Sequence, residues 1–355
     1  MMKADLAGFY RRSRAARKII VVDLGFLGDS IHLVPALWEI KRHYPEAALH
    51  TLSATLGREA LALAPCVDRA WAFPLGPRSP SWWRHWDVIR GLRRESFDLA
   101  FNFSGADRTI FLTALTGAQW RVAHLAGRNH FWKFLLIPWW VPRQDPRLPV
   151  YEQRRRMLAA CGFELKPARF DLRLSPEARL WATEATPPEA IHFSINASFP
   201  AKEWPLEHWV TLARTLLAEG RVRHILASGS GHPREQERLR WLAEKTGHAR
   251  LRILPPNLTI ERLAAVLGRC RLHLGADSGV LHLAMAVGIP TLAIFREYAG
   301  KDEWLPIGPN HRHLTAPCDC ATRNRLGAGC ELASACLARI SPAQVAARVA
   351  ELIGP

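Results

Sequence analysis

The stretch Leu274-Gly-Ala-Asp277-Ser278-Gly279-Val-Leu-His282-Leu-Ala-Met-Ala-Val-Gly288-Ile-Pro290-Thr-Leu-Ala-Ile-Phe295 reads as strand, helix and strand in succession. An apolar run ends at Asp277, a helix opens at Ser278-Gly279, Gly288 stops it, and a second apolar run follows Pro290. Buried strands alternating with helices belong to a parallel sheet covered on both faces. The free N–H groups and positive end of such a helix form an anion site. Gly279 lets an anion approach the backbone, and Ser278 adds a hydroxyl donor. His282, one turn beyond Ser278, can face the same pocket, although a buried and satisfied histidine is the plain alternative.

The same alternation runs through the chain on either side. Upstream in the same half lie Ala190 to Asn196, Val222 to Ser228, Leu251 to Leu254 and Arg271 to Gly275. An earlier series comprises Lys18 to Asp23, Ala48 to Ser53, Asp98 to Phe103 and Arg121 to Leu125. Between the series, residues 164–190 are rich in Pro, Glu and Ala and read as the linker, with the boundary near residue 175. The expected organisation is a basic leader (residues 1–17), two domains (18–175 and 176–340) and a terminal helical segment (341–355). Ser341 caps that last helix with Pro342 at its first position, and Val345, Val349 and Leu352 form its apolar stripe. The fold class is α/β: two Rossmann-like halves with parallel sheets facing across a cleft, ligands lying at the strand carboxyl ends.

The chain has 355 residues, enough for two cores. With 48% hydrophobic and 23% charged residues, disordered and fibrous classes are excluded. Lys and Arg outnumber Asp and Glu by 48 to 32, and a net charge of +16 calls for an anionic partner: a phosphorylated substrate, a membrane face or nucleic acid. Nucleic acid is set aside because no binding module is present and the basic residues are scattered. No run reaches the ~18–20 apolar residues of a spanning helix. The longest candidate, Phe131 to Val141, is broken by Lys133 and Pro138. The N-terminus carries Lys3, Arg11, Arg12, Arg14, Arg17 and Lys18 but no secretory apolar segment, so the protein is expected in the cytoplasm. Two readings of the leader stand: a solvated tail, or contact with an anionic membrane surface.

Three more strand-to-helix turns carry candidate chemistry. Leu24-Gly-Phe-Leu-Gly28-Asp29 follows the first strand without the Gly-x-Gly-x-x-Gly spacing of dinucleotide binders. Asp29 projects from that turn either as a helix cap or as a carboxylate in the cleft. Asn196-Ala-Ser198-Phe-Pro-Ala-Lys202-Glu-Trp204-Pro205 places a lysine where it can hold a phosphate. Ser228-Gly-Ser-Gly-His-Pro-Arg-Glu235 places a carboxylate that can bind a ribose or serve the helix dipole.

Taken in order, LGDSIHLVPAL after the first strand, the Lys202-x-Trp-Pro element, the Gly-x-Pro-x-Glu235 turn and ADSGVLHLAMAVGIP resemble glycosyltransferase family 9, the lipopolysaccharide heptosyltransferases. The resemblance runs from about Lys18 to Ile353. It implies the GT-B fold, with the terminal helix crossing back to the first domain. It also implies inverting transfer of heptose from an ADP-sugar donor to the phosphorylated inner core of lipopolysaccharide, peripherally on the inner membrane, with no cofactor or metal required. Carried over by position, Asp29 is the general base, and Lys202, Glu235, Asp277, Ser278, Gly279, His282 and Ser198 bind the donor. Arg58, Arg108, Arg121, Arg128 and Arg154 are candidates for the acidic acceptor. A different nucleotide sugar, or a UDP-sugar epimerase on the same fold, is the alternative. Cys318, Cys320, Cys330 and Cys336 are enough thiols for a metal, but they lack a Cys-x2-Cys knuckle, which favours a structural role or reduced thiols.

Overall fold

The run KIIVV becomes a central strand because β-branched side chains suit a pleated surface buried on both sides. Ile19 and Val21 pack on one face with Leu33, Val34 and Leu37, while Ile20 and Val22 pack on the other with Ile89, Leu92 and Leu112. Each such fully buried side chain contributes roughly 1.5–3 kcal/mol. The computed structural model describes residues 6–74, 85–124, 131–298, 300–316 and 333–354. The chain divides into two units, Met1–Arg173 and Leu174–Pro355, two residues from the boundary read in the sequence.

In the first unit the strands are β1 (Lys18–Val22), β2 (Ala48–Ser53), β3 (Arg69–Ala72), β4 (Leu99–Asn102), β5 (Trp120–His124) and β6 (Trp139–Val141). They form one parallel sheet in the order β3-β2-β1-β4-β5-β6. Its helices are α1 (Phe9–Ser13), α2 (Leu27–His43), α3 (Thr55–Leu61), α4 (Trp86–Arg94), α5 (Asp107–Leu115), α6 (Phe131–Leu136) and α7 (Val150–Ala160). The leader is no loose tail from residue 6 onward. Phe9 is fully buried and meets Phe101, Trp120 and Trp139 edge-on, at 6.2, 6.3 and 5.2 Å between ring centres. Arg11, Arg12, Arg14 and Arg17 remain exposed.

In the second unit the elements are α8 (Pro176–Ala185), β7 (Ala190–Ser194), α9 (Leu206–Ala218), β8 (His224–Ala227), α10 (Pro233–Thr246), β9 (Leu251–Ile253), α11 (Ile260–Leu267), β10 (Leu272–Ala276), α12 (Gly279–Val287), β11 (Thr291–Phe295), β12 (His311–Thr315), α13 (Ala333–Ala338) and α14 (Pro342–Ile353). The sheet order β12-β11-β10-β7-β8-β9 repeats that of the first unit. The strand order therefore reverses between β1 and β4 in one sheet and between β7 and β10 in the other. Ligands of open parallel sheets bind at such switch points.

Ser341 caps α14, accepting from the Gln344 N–H at 3.3 Å. Val345, Val349 and Ile353 of that helix are buried in the second unit's core with Trp209, Leu212 and Leu216. The segment Phe131 to Val141 divides into α6 and β6.

Candidate active site

In the first unit the site forms where β1 ends and α2 begins. Asp23, immediately after β1, accepts the Gly25 N–H at 2.8 Å through Oδ1. Gly25 is required by close approach: an added Cβ would lie 2.3 Å from Cβ of Asp29. Asp29, the third residue of α2, accepts the Phe26 N–H through Oδ2 at 2.9 Å. The carboxylate therefore does act in the helix start, and it also lines a cavity of about 440 Å³ with Asp23, Ser104, His124, Arg143 and Arg154. Ser104 follows β4 and His124 ends β5, so the cavity lies at the switch point of this sheet.

Arg154, buried on α7, ties this corner together. Its Nη2 lies 2.7 Å from Asp23 Oδ2 and 3.6 Å from Asp29 Oδ1, and its Nη1 donates to the main-chain carbonyl of Asp29. Burial raises the Asp29 pKa above the ordinary carboxylate value, and the Asp23 charge raises it further. Arg154 and the Phe26 N–H oppose this. A carboxylate with raised proton affinity, one oxygen fixed by a main-chain N–H and the side chain lining a cavity, is suited to take a proton from a hydroxyl group. Burial lowers the pKa of His124, helped by the charges of Arg143 and Arg154, which favours its neutral form.

The second unit builds its site at its own switch point. Lys202 follows β7 in a short 3-10 turn, Pro200–Lys202, and its Nζ lies 2.6 Å from Asp277 Oδ2, just beyond β10. The Tyr298 hydroxyl donates to the same oxygen at 3.5 Å. Ser278 is the N-cap of α12, and its hydroxyl is buried with no hydrogen-bond partner. His282, one turn on, is buried 5.7 Å from the Trp304 ring, and burial lowers its pKa to about 4. Beneath α12, His192 Nδ1 meets His273 Nδ1 at 2.9 Å, and His192 Nε2 meets Ser228 Oγ at 2.9 Å. Burial takes His192 to about 3 and His273 well below its ordinary value, so all three rings are neutral at pH 7. A lysine, a helix N-terminus and a buried hydroxyl at the ends of two adjacent strands are chemically suited to a phosphate.

The other sequence candidates are placed less uniformly. Glu235 lies in the first turn of α10 and accepts from the Ser230 N–H and hydroxyl at 2.7 and 2.9 Å. Ser198 is exposed in the loop before Lys202, and Gly279 begins α12. Of the candidate arginines among the described residues, Arg154 alone lines the cavity, and it is already paired with carboxylates. Arg121 is committed elsewhere, its Nε to Leu136 O at 2.7 Å and Nη1 to Ala118 O at 2.5 Å. Arg58 and Arg108 are exposed on α3 and α5, while Arg128 lies outside the described residues. Cys318, Cys320 and Cys330 are also outside them, and Cys336 is buried on α13.

Three groups in these sites were not singled out from sequence: Asp23, Arg143 and Glu203. Glu203 is buried between Arg234 and Arg238, with Oε1 accepting from Arg234 at 3.0 Å and from the Ala197 N–H at 3.1 Å. It fixes the Lys202 loop against α10. The available signal was its place inside the Lys202-x-Trp-Pro element, and for Asp23 the acid that closes an otherwise apolar strand.

The model of glycosyltransferase family 9 (heptosyltransferase) matches residues 85–330. Lipopolysaccharide heptosyltransferase 2 of Salmonella typhimurium is 24% identical over 301 residues, covering 78% of this chain and 82% of that protein. Lipopolysaccharide heptosyltransferase 1 of Pseudomonas aeruginosa is 27% identical over 298 residues, covering 78% of each. An Escherichia coli heptosyltransferase solved with ADP-2-deoxy-2-fluoro heptose matches with a TM-score of 0.71 at 20% identity, covering 94% of this chain and 99% of that one. Two parallel sheets of this order in a chain with such relatives define a glycosyltransferase of the GT-B fold. The chain belongs to glycosyltransferase family 9. Among its described residues, no helix is long and apolar enough to cross a membrane.

Proposed function

We propose that the protein transfers heptose from ADP-heptose to the phosphorylated inner core of lipopolysaccharide with inversion at the anomeric carbon. The observation that carries this reading is the Asp29 carboxylate lining the cavity, with one oxygen held by the Phe26 N–H and the other 3.6 Å from Arg154. The names of the relatives supply the substrate class, and the fluoro-heptose complex supports the ADP-sugar donor.

In this reading Asp29 takes the proton of the acceptor hydroxyl as its oxygen bonds to the anomeric carbon. The bond from that carbon to the β-phosphate oxygen breaks, and ADP leaves carrying the electron pair. Attack opposite the leaving group inverts the centre. Lys202 exchanges part of its pairing with Asp277 for the diphosphate, and the start of α12 with Ser278 stabilises the charge that develops there. These groups supply the positive charge, so the reading needs no metal. Glu235 binds the ribose hydroxyls, and Gly279, His282 and Ser198 shape the donor pocket. Arg58, Arg108 and Arg128 meet acceptor phosphates. Exposed Arg11, Arg12, Arg14 and Arg17 attract an anionic inner-membrane surface, each contributing ~1 kcal/mol.

The test is mass-spectrometric detection of sugar addition to truncated lipopolysaccharide cores, supplying ADP-heptose, UDP-sugars or GDP-sugars in parallel. Addition of one heptose from the ADP donor alone is expected. Transfer from a UDP-sugar, or epimerisation of it without transfer, contradicts the reading.

A further inference from the structure

We propose that Asp23 is a positioning residue for Asp29: by engaging the Arg154 guanidinium it directs that cation onto the Asp29 main chain and withholds it from the Asp29 carboxylate. The inference rests on the reading of Asp29 as the base and adds a residue to it. The geometry is specific. One nitrogen of Arg154 contacts Asp23 Oδ2 at 2.7 Å and reaches Asp29 Oδ1 only at 3.6 Å, beyond hydrogen-bond range. The other nitrogen donates to the Asp29 carbonyl. The second oxygen of Asp23 is bonded to the Gly25 N–H in the turn that lets Asp29 approach. Two carboxylates thus share one buried guanidinium unequally, Asp23 holding it at hydrogen-bond distance and Asp29 only by the longer ion-pair contact.

Without Asp23 the guanidinium would turn to Asp29, form a charge-assisted bond and make it a weaker base. The other charged or titratable groups facing Asp29 are His124 at the end of β5 and Arg143 before α7. Asp23→Asn alters neither residue, whereas Arg154→Gln also removes one of the charges that lower the His124 pKa, leaving that ring lowered by burial and Arg143. The two substitutions therefore act with opposite sign. Asp23→Asn keeps the shape and the acceptor for Gly25 N–H but frees Arg154 for Asp29. Arg154→Gln leaves the two carboxylates facing each other with no cation between them.

The experiment follows the Asp29 carboxyl carbon by 13C NMR across pH in the full chain, assigning it with Asp29→Asn. The midpoint is expected to move to lower pH in Asp23→Asn and to higher pH in Arg154→Gln. The acid limb of kcat/KM should move in the same directions. In Asp23→Asn, kcat should fall roughly tenfold with KM for the donor within about twofold. Asp23→Glu, which restores the charge, should recover a midpoint near the native one. A folded Asp23→Asn with an unmoved midpoint overturns the proposal, as do two variants that move together. Should Asp23→Asn fail to fold, a midpoint in Arg154→Gln that stays or moves down does the same. The carbon signal needs no turnover, so an inactive native enzyme defeats the functional reading alone, whereas active enzyme with an unmoved midpoint defeats only the role of Asp23.

Discussion

The two units share one strand order and place their polar residues at the same switch point, yet they fill it with opposite chemistry. The first buries charge: Asp23, Arg154 and Asp29 meet within 3.6 Å. The second sets neutral rings beside a single ion pair: His192, His273 and His282 are buried in β7, β10 and α12, next to the Lys202–Asp277 pair, whose carboxylate is buried. Topology fixes where a ligand can bind, and the residues at that place decide what it does there. A fixed carboxylate can accept a proton. A cation paired at a helix N-terminus can exchange its partner for an incoming anion.

The contrast is sharpened most strongly by acid. The buried histidines of the second unit have folded pKa values below the ordinary 6.5, about 4 for His282 and about 3 for His192. Between those values and 6.5 the unfolded chain binds more protons, so their contribution is complete above about pH 6.5 and declines as pH falls. Each histidine removes roughly 1.4 kcal/mol per pH unit in that window. Asp29, with its pKa raised, acts in the opposite sense and favours the folded first unit as pH falls towards its own range. Denaturant unfolding followed between pH 7 and 5 should therefore show a loss of stability that His282→Gln makes shallower. An unchanged slope in that variant would mean the ring is not buried and neutral.

Lys202→Met tests the other half of the comparison. Loss of the cation should weaken ADP binding about tenfold, or ~1.4 kcal/mol, as read by calorimetry. It should also lower thermal stability, because Asp277 is left buried without its ion pair. Undiminished ADP affinity would place the diphosphate elsewhere. The smallest effect is expected at Arg108, which is exposed on α5. Arg108→Ala should raise the acceptor KM about threefold and leave the donor KM unchanged, because exposed pairs contribute little. A change in the donor KM would exclude an acceptor role.

Central strands and ligand turns were legible in the sequence because their signals are local. KIIVV and AIHFS are short apolar runs, and each is followed by a turn carrying Asp29 or Lys202. The strands that escaped notice, β3 (RAWA), β6 (WWV) and β12 (HRHLT), are all at sheet edges, where one side is free and an apolar run is not needed. The pairings at the sites were harder to foresee. Arg154 meets Asp23 from 131 positions away, and no periodicity records such a distance. The same residue therefore read as an acceptor ligand, although its charge is already held by carboxylates. Phe9 gave no local signal either, since its burial depends on Phe101, Trp120 and Trp139 from three separate strands.

The most direct test compares Asp29→Ala with native protein at saturating ADP-heptose, reading heptose addition and ADP affinity on the same preparations. A proton acceptor confined to the first unit predicts transfer reduced by ~10²–10⁴ with ADP bound as tightly as before. Near-native transfer by the variant, or a matching collapse of ADP binding, would contradict the division of labour between the units.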